Sequence, residues 1–393
     1  MSKQISIFAP LAHYDDLKKQ SALGLNAWLG LFHDLSSRFN LKSRNVGFGF
    51  ELKSVDWFSR NQFDPKSLLG YPYSIHIPGP ILSRLCYDKS IMRGTGWFNH
   101  YLEWLASLDP KPVAVIFHGP RYIAGKAIPL DDRRYEFKIE PEKMLYMRQL
   151  MMDLFSQWNQ DFPVYLENTS ITEFAGPTDY GRSWAPITYA APQLGTHPQE
   201  LRRYSHRYGV CKIALDLEHL IFNCRFHRNI EEYEFLQAKK TGVFITDKTF
   251  FHEFGYEYVI NGPIIDNYQY TPSEAIKVIE AEYVHLSGSH QEIASLGPCQ
   301  YPPEIYIDNL KDSGCFSDQQ LYLLENFRVN SHAPISRSDA YFFYLLQQLI
   351  LNGAHTFVVE VANHTPGDCW WLVTDHDPSI SFTNLVNMLC FDS

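Results

Sequence analysis

Along the chain, short apolar runs recur and each closes on a polar residue before a turn containing Pro, Gly or Ser. These runs fall at 45–51, 73–76, 112–118, 163–167, 211–216, 282–285, 327–330 and 356–360. Their Val, Ile, Leu and Phe content is that of strands buried on both faces, the habit of parallel sheets. Between them, residues 97–108, 141–160, 198–208, 272–280 and 338–352 carry the longer apolar spacing of amphipathic helices. Eight strands alternating with helices predict a parallel (β/α)₈ TIM barrel of the α/β class.

The pattern also marks what exceeds a minimal barrel. Residues 1–44 read as an N-terminal helical extension, with a helix over 14–39. The barrel domain is placed at 45–364, and 365–393 is left as a C-terminal tail carrying Trp370, Trp371, Asp375, His376 and Asp377. Residues 171–197, rich in Gly, Pro, Thr and Ser, read as a long loop. Residues 220–270 read as an insertion after strand five, helical at 229–240, whose Phe250, Phe251, Tyr256 and Tyr258 belong either to a core or to a docking face. No internal repeat or low-complexity tract interrupts this order.

Charge narrows the partners. The 34 basic and 44 acidic residues give a net charge of −10, which repels a phosphate backbone and makes nucleic acid a disfavoured substrate. The start of the chain lacks the apolar segment of a signal peptide, and no run of about 18 apolar residues occurs, so the expectation is a cytoplasmic protein with no membrane partner. The seven cysteines (Cys86, Cys211, Cys224, Cys299, Cys315, Cys369 and Cys390) include no C-x-x-C pair. They indicate neither a disulfide framework nor a thiolate zinc site.

In a parallel barrel the carboxyl ends of the strands share one crater, so the polar residues that close the strands converge. Here they are His76, His118, Glu167, Asp216, His285, His332 and Glu360. One such His or Glu is more often a helix cap or a hydrogen-bonding residue than a ligand, but seven from as many strands read as metal ligands. Imidazole with carboxylate suits iron, zinc or manganese. Seven ligands oversupply one ion, so two or three ions bridged by a carboxylate such as Glu167 use them better. Asp216-Leu-Glu-His219 adds His219 at the i+3 position, and Asn330-Ser-His332 is a similar step. No residue stands out as a dedicated proton donor, so the catalytic residue is left open.

At these motifs the chain resembles the xylose-isomerase-like barrel superfamily, which includes type-IV AP endonucleases and multinuclear non-heme iron-dependent oxidases. Leu166-Glu167-Asn168-Thr169-Ser170, Leu215-Asp216 with His219, and His285-Leu286 suit both branches. His285-Leu-Ser-Gly-Ser-His290 and Ser331-His332-Ala333-Pro334-Ile335, with the spacing to Glu360, are more similar to the oxidases. The resemblance spans roughly residues 45 to 364. It implies two or three iron ions held by His76, His118, Glu167, Asp216, His219, His285, His332 and Glu360, with dioxygen as cosubstrate. It also implies a ribosomal precursor peptide modified at cysteine, often with a small partner protein that recognises the leader. Two positions depart from the oxidase pattern: Asn330 stands where that branch has an Asp ligand, and His219 where many oxidases have Asn. The competing expectations are a zinc phosphodiesterase of the AP-endonuclease type, for which Arg121, Lys126, Arg133 and Arg134 would supply a grip on DNA, a divalent-metal sugar isomerase, and a barrel without catalysis.

Overall fold

The computed structural model describes residues 3–11, 24–53, 63–77, 91–119, 121–122, 128–129, 134–138, 141–158, 161–169, 172–174, 186–190, 195, 197–226, 249–250, 257–261, 270–288, 334–360 and 378–391. Eight parallel strands close a barrel: β1 (Ile5–Leu11), β2 (Val46–Lys53), β3 (Tyr73–Ile77), β4 (Ala114–His118), β5 (Val164–Glu167), β6 (Lys212–Asp216), β7 (Tyr283–Leu286) and β8 (Thr356–Val359). Each strand pairs with its sequence neighbour, and β8 returns to β1 through Ser6 opposite Thr356. The expected (β/α)₈ barrel is therefore the fold.

Its first strand corrects the expected boundaries. Ile5–Leu11 lies inside the segment read as a helical extension, and it pairs with β2 along its whole length, from Ile5 opposite Val46 to Leu11 opposite Leu52. The helix α1 (Leu25–Phe39) is thus the first crossover helix of the barrel. The expected strand at 327–330 lies outside the described residues, and the barrel closes with β7 paired directly to β8, His285 opposite Val358.

The remaining crossovers follow the same order. A 3₁₀ turn (Pro65–Leu68) joins β2 to β3, and α2 (Ile91–Ser107), α3 (Pro141–Ser156) and α4 (Pro198–Arg202) precede β4, β5 and β6. Then α5 (Leu217–Phe226) and α6 (Pro272–Ile279) lead to β7, and α7 (Ala340–Leu351) leads to β8. The start of α6 shows how sequence sets such boundaries. Thr271 accepts from the Glu274 backbone N–H, Glu274 accepts from the Thr271 N–H, and Pro272 occupies the first turn, where its missing N–H costs nothing.

Beyond β8, α8 (Pro378–Phe391) closes the helical ring. Its Phe382 packs 5.4 Å from the rings of both Trp28 and Phe32 on α1. The segment left as a tail is therefore, over these residues, part of the helical layer around the barrel. The expected loop at 171–197 contains strands Thr172–Phe174 and Pro186–Ala190, paired with each other and with Arg121–Tyr122. In the 220–270 insertion, residues up to Phe226 belong to α5. Glu257–Asn261 runs parallel to Arg134–Lys138, and Phe250 faces Tyr258 across an antiparallel pair. The helix expected at 229–240 lies outside the described residues.

Strand alternation divides the core in two. Side chains pointing outward pack under the helices in one large apolar cluster, while Phe8, Ala114, Ile116, Tyr165, Ala214, Tyr283 and Val358 fill the barrel interior. Gly49 makes room for this inner layer, because a Cβ there would come within 2.6 Å of both the Phe8 ring and the Pro72 carbonyl oxygen. Among the described residues no helix is long and apolar enough to cross a membrane.

A candidate metal centre at the barrel mouth

One step of the two-residue strand period above the inner apolar layer, the chemistry changes. Ile116 is followed by His118, Tyr165 by Glu167, Ala214 by Asp216, Tyr283 by His285 and Val358 by Glu360. On β3 the same step leads from Ser74 to His76. Side chains two apart share a face, so these residues rise as one polar layer on the apolar floor.

Glu167 is its centre. Its Oε2 lies 2.8 Å from His76 Nε2 and 3.0 Å from His118 Nε2. Its Oε1 lies 2.5 Å from His285 Nδ1, which is also 3.1 Å from Glu360 Oε2. Three overlapping groups could hold a metal ion, each with its ligand atoms within 4.8 Å of one another: His76, His118 and Glu167; Glu167, Asp216, His285 and Glu360; and Glu51, His76 and His285.

Asp216 and His219 are held by the loop after β5. Asn168 binds the strand end on both sides, accepting from the Asp216 N–H at 2.5 Å and donating Nδ2 to the Asp216 carbonyl at 3.0 Å. The Asp216 carboxylate accepts from the His219 N–H at 2.9 Å, which caps the first turn of α5. His219 Nδ1 donates to the Asn168 carbonyl oxygen at 2.9 Å, so the ring lone pair is on Nε2. The His118 and His219 rings stand edge to face with centroids 6.3 Å apart. The i+3 step read from the sequence thus places His219 beside the cluster, although the ligand groups do not include it. Glu218, also buried, accepts from Ser287 Oγ at 3.4 Å.

Carboxylates outnumber imidazoles at this site. Glu51, Glu167, Asp216, Glu218 and Glu360 gather around four imidazoles, and Glu51, Glu167, His76 and His285 are almost wholly buried. Isolated carboxylates are too costly to bury without compensating positive charge. Burial would raise the Glu167 pKa, but His118, His285 and His76 outweigh it and hold it well below the usual range. Burial would lower His285, but Glu51, Glu167 and Glu360 push it well above the ordinary imidazole value. Burial, helped by Glu360, Glu167 and Glu218 against His219, raises Asp216 to about 6. His219 is raised because Asp216 and Glu167 outweigh its desolvation.

Buried His76 Nδ1 makes no hydrogen bond and faces Glu51 Oε1 at 3.7 Å. The donor set, mixed nitrogen and oxygen with no thiolate, fits iron, zinc or manganese. The rim is open at His118 and Glu360, whose side chains are 13% and 15% exposed.

Seven of the eight residues expected as ligands are thus brought together, His219 at the edge of the cluster; His332, with Asn330, lies outside the described residues. Glu51 was missed, although it lies on a strand read from the sequence. Of the expected basic loop, only Arg121 and Arg134 are described, each on a short strand outside the barrel.

Fold and site together define a TIM barrel with buried groups of histidine and carboxylate that could hold metal ions. No protein-family profile and no curated protein matches the chain.

Proposed function

We propose that this protein is a multinuclear iron-dependent oxidase that uses dioxygen to modify a peptide substrate at cysteine. The observation that carries the reading is Glu167, whose two carboxylate oxygens face different imidazoles and serve two ligand groups at once. A carboxylate so placed suits bridging of neighbouring ions. His76, His118 and Glu167 would hold one ion, and Glu167, Asp216, His285 and Glu360 the other. Iron bound there supplies redox chemistry toward dioxygen, which zinc does not.

The chain's own contribution is orientation and exclusion. Asn168 fixes the end of β6 and the His219 ring, and the apolar floor of Phe8, Ile116, Tyr165 and Val358 keeps water from the underside. The opening beside His118 and Glu360 is where a substrate would enter. The peptide, and a small partner that recognises its leader, follow from the resemblance of the motifs, and the net charge of −10 favours them over a nucleic acid.

His219 supports one second reading, because the Asp-x-x-His step is the feature shared with the zinc endonucleases. Elemental analysis and Mössbauer spectroscopy of protein purified without oxygen separate the two. Two or more irons per chain, with oxygen uptake on adding a cysteine-bearing precursor peptide, are expected. Stoichiometric zinc with cleavage of abasic DNA would establish the phosphodiesterase instead.

A further inference from the structure

We infer that Glu51 is a positioning residue, held by Tyr283, which Ser74 backs, that sets which nitrogen of His285 is offered to metal, and that it does not ligate an ion of its own. The inference rests on the metal-centre reading above. It concerns a residue that the sequence reading did not count among the ligands.

A neutral imidazole has one lone-pair nitrogen and one N–H. The two ligand groups around Glu167 use Nε2 of His76 and Nδ1 of His285, the atoms that approach its carboxylate at 2.8 and 2.5 Å. The group that includes Glu51 would need lone pairs at the opposite atoms, His76 Nδ1, which lies 3.7 Å from Glu51 Oε1, and His285 Nε2, which lies 2.9 Å from Glu51 Oε2. Neutral rings cannot serve all three groups, so among the described residues two can be filled together and one cannot.

Tyr283 decides which. It lies on β7 two residues before His285, so its ring occupies the apolar layer beneath the same strand end, edge-on to Phe8 with centroids 6.3 Å apart and 5.4 Å from Tyr165. Its hydroxyl donates to Glu51 Oε2 at 2.5 Å and accepts from Ser74 Oγ at 2.7 Å.

An oxygen already holding a phenol proton is a poor seat for a cation and a good acceptor for an imidazole N–H. Histidines that bind metal commonly give their other N–H to such a carboxylate, which fixes the tautomer and the ring orientation. With Nε2–H of His285 directed at Glu51, Nδ1 is the nitrogen left to offer its lone pair to an ion beside Glu167. His76 Nε2 also approaches Glu167, but its Nδ1 lies 3.7 Å from Glu51 Oε1, beyond hydrogen-bond distance, so the tautomer that Glu51 fixes is that of His285. A Phe would fill the layer as well as Tyr283 does, so the hydroxyl serves Glu51 and not the packing.

The test is anaerobic titration of the full chain with Co²⁺, reading the number of ions bound, their affinity and the visible absorption spectrum, for wild type, Glu51→Gln, Tyr283→Phe and Ser74→Ala. The expected result is an unchanged number of ions, with affinity about 10- to 100-fold weaker and shifted bands in Glu51→Gln and Tyr283→Phe, and a smaller effect in Ser74→Ala. Should Tyr283→Phe fail to fold, the shift in Glu51→Gln with a smaller one in Ser74→Ala carries the result. Loss of one ion in Glu51→Gln, with the others bound as tightly as before, would make Glu51 a ligand and overturn the inference. Wild-type affinity and spectrum in every variant would overturn it too. A wild-type chain that binds no Co²⁺ would remove the metal centre itself, and this role of Glu51 with it.

Discussion

Two layers of the barrel interior, built on the same strands and two residues apart, do opposite things. The lower layer, Phe8, Ala114, Ile116, Tyr165, Ala214, Tyr283 and Val358, is mainly apolar. The upper layer gathers the polar side chains of His76, His118, Glu167, Asp216, His285 and Glu360. Two residues of strand are about 6–7 Å, so the change from packing to chemistry happens within one side-chain length. A closed parallel sheet can carry costly buried charge at its mouth because the floor below and the helical shell around it supply the stability. Tyr283 and Ser74 join the layers, belonging to the floor by position and to the site by their hydroxyls.

The largest expected effect comes from removing the residue at the centre of the upper layer. Glu167→Ala should abolish binding of both ions, read by metal content after anaerobic reconstitution, while far-ultraviolet circular dichroism stays that of the wild type. Two ions still bound to that variant would show that Glu167 is no bridge. In the lower layer the consequence should be reversed. Ile116→Ala is expected to cost about 2–5 kcal/mol in urea unfolding and to leave metal content intact.

A finer probe of the floor is Gly49→Ala. The new methyl meets the Phe8 ring and the backbone carbonyl of Pro72, and only the ring can yield. The expected loss is about 1–3 kcal/mol, again with metal content unchanged.

The smallest effect lies at the foot of the barrel, outside both layers. There Lys212 donates to Glu282 at 2.8 Å and Lys3 donates to the same carboxylate, and these hydrogen bonds, Lys212 first, lower its pKa to about 2. A carboxyl depressed on folding contributes stability that is complete above its unfolded value near 4.5 and is lost as pH falls toward 2. Glu282→Gln should therefore flatten that part of the acid unfolding curve and leave metal binding unchanged. Because the group is largely solvated the change should be small, and a variant with the wild-type acid profile would show that the pair contributes nothing.

Much of this contrast was legible in the sequence, because strand alternation and strand-end polarity are local properties. His76, His118, Glu167, Asp216, His285 and Glu360 were all readable as closing residues of apolar runs. Glu51 closes the apolar run at 45–51 but was not counted among the ligands, because its tie to the site is a 2.9 Å contact with His285, far along the chain, that no local signal encodes. β1 was absorbed into an expected helical extension. It contains Pro10, which has no N–H to give to a ladder and weakens the strand signal. Strands such as Arg121–Tyr122 and Thr249–Phe250 are two residues long and carry no pattern to find. The place of α8 depends on contacts with α1 more than 340 residues away, such as Trp28 with Phe382, which no local signal encodes.

The most direct test of a shared-carboxylate metal centre is an anomalous difference map from crystals of the chain loaded with iron under anaerobic conditions. Two peaks flanking Glu167, one among His76 and His118 and the other among Asp216, His285 and Glu360, with none against Glu51, are the predicted result. A map with no peak beside Glu167, from protein shown to contain metal, would contradict it.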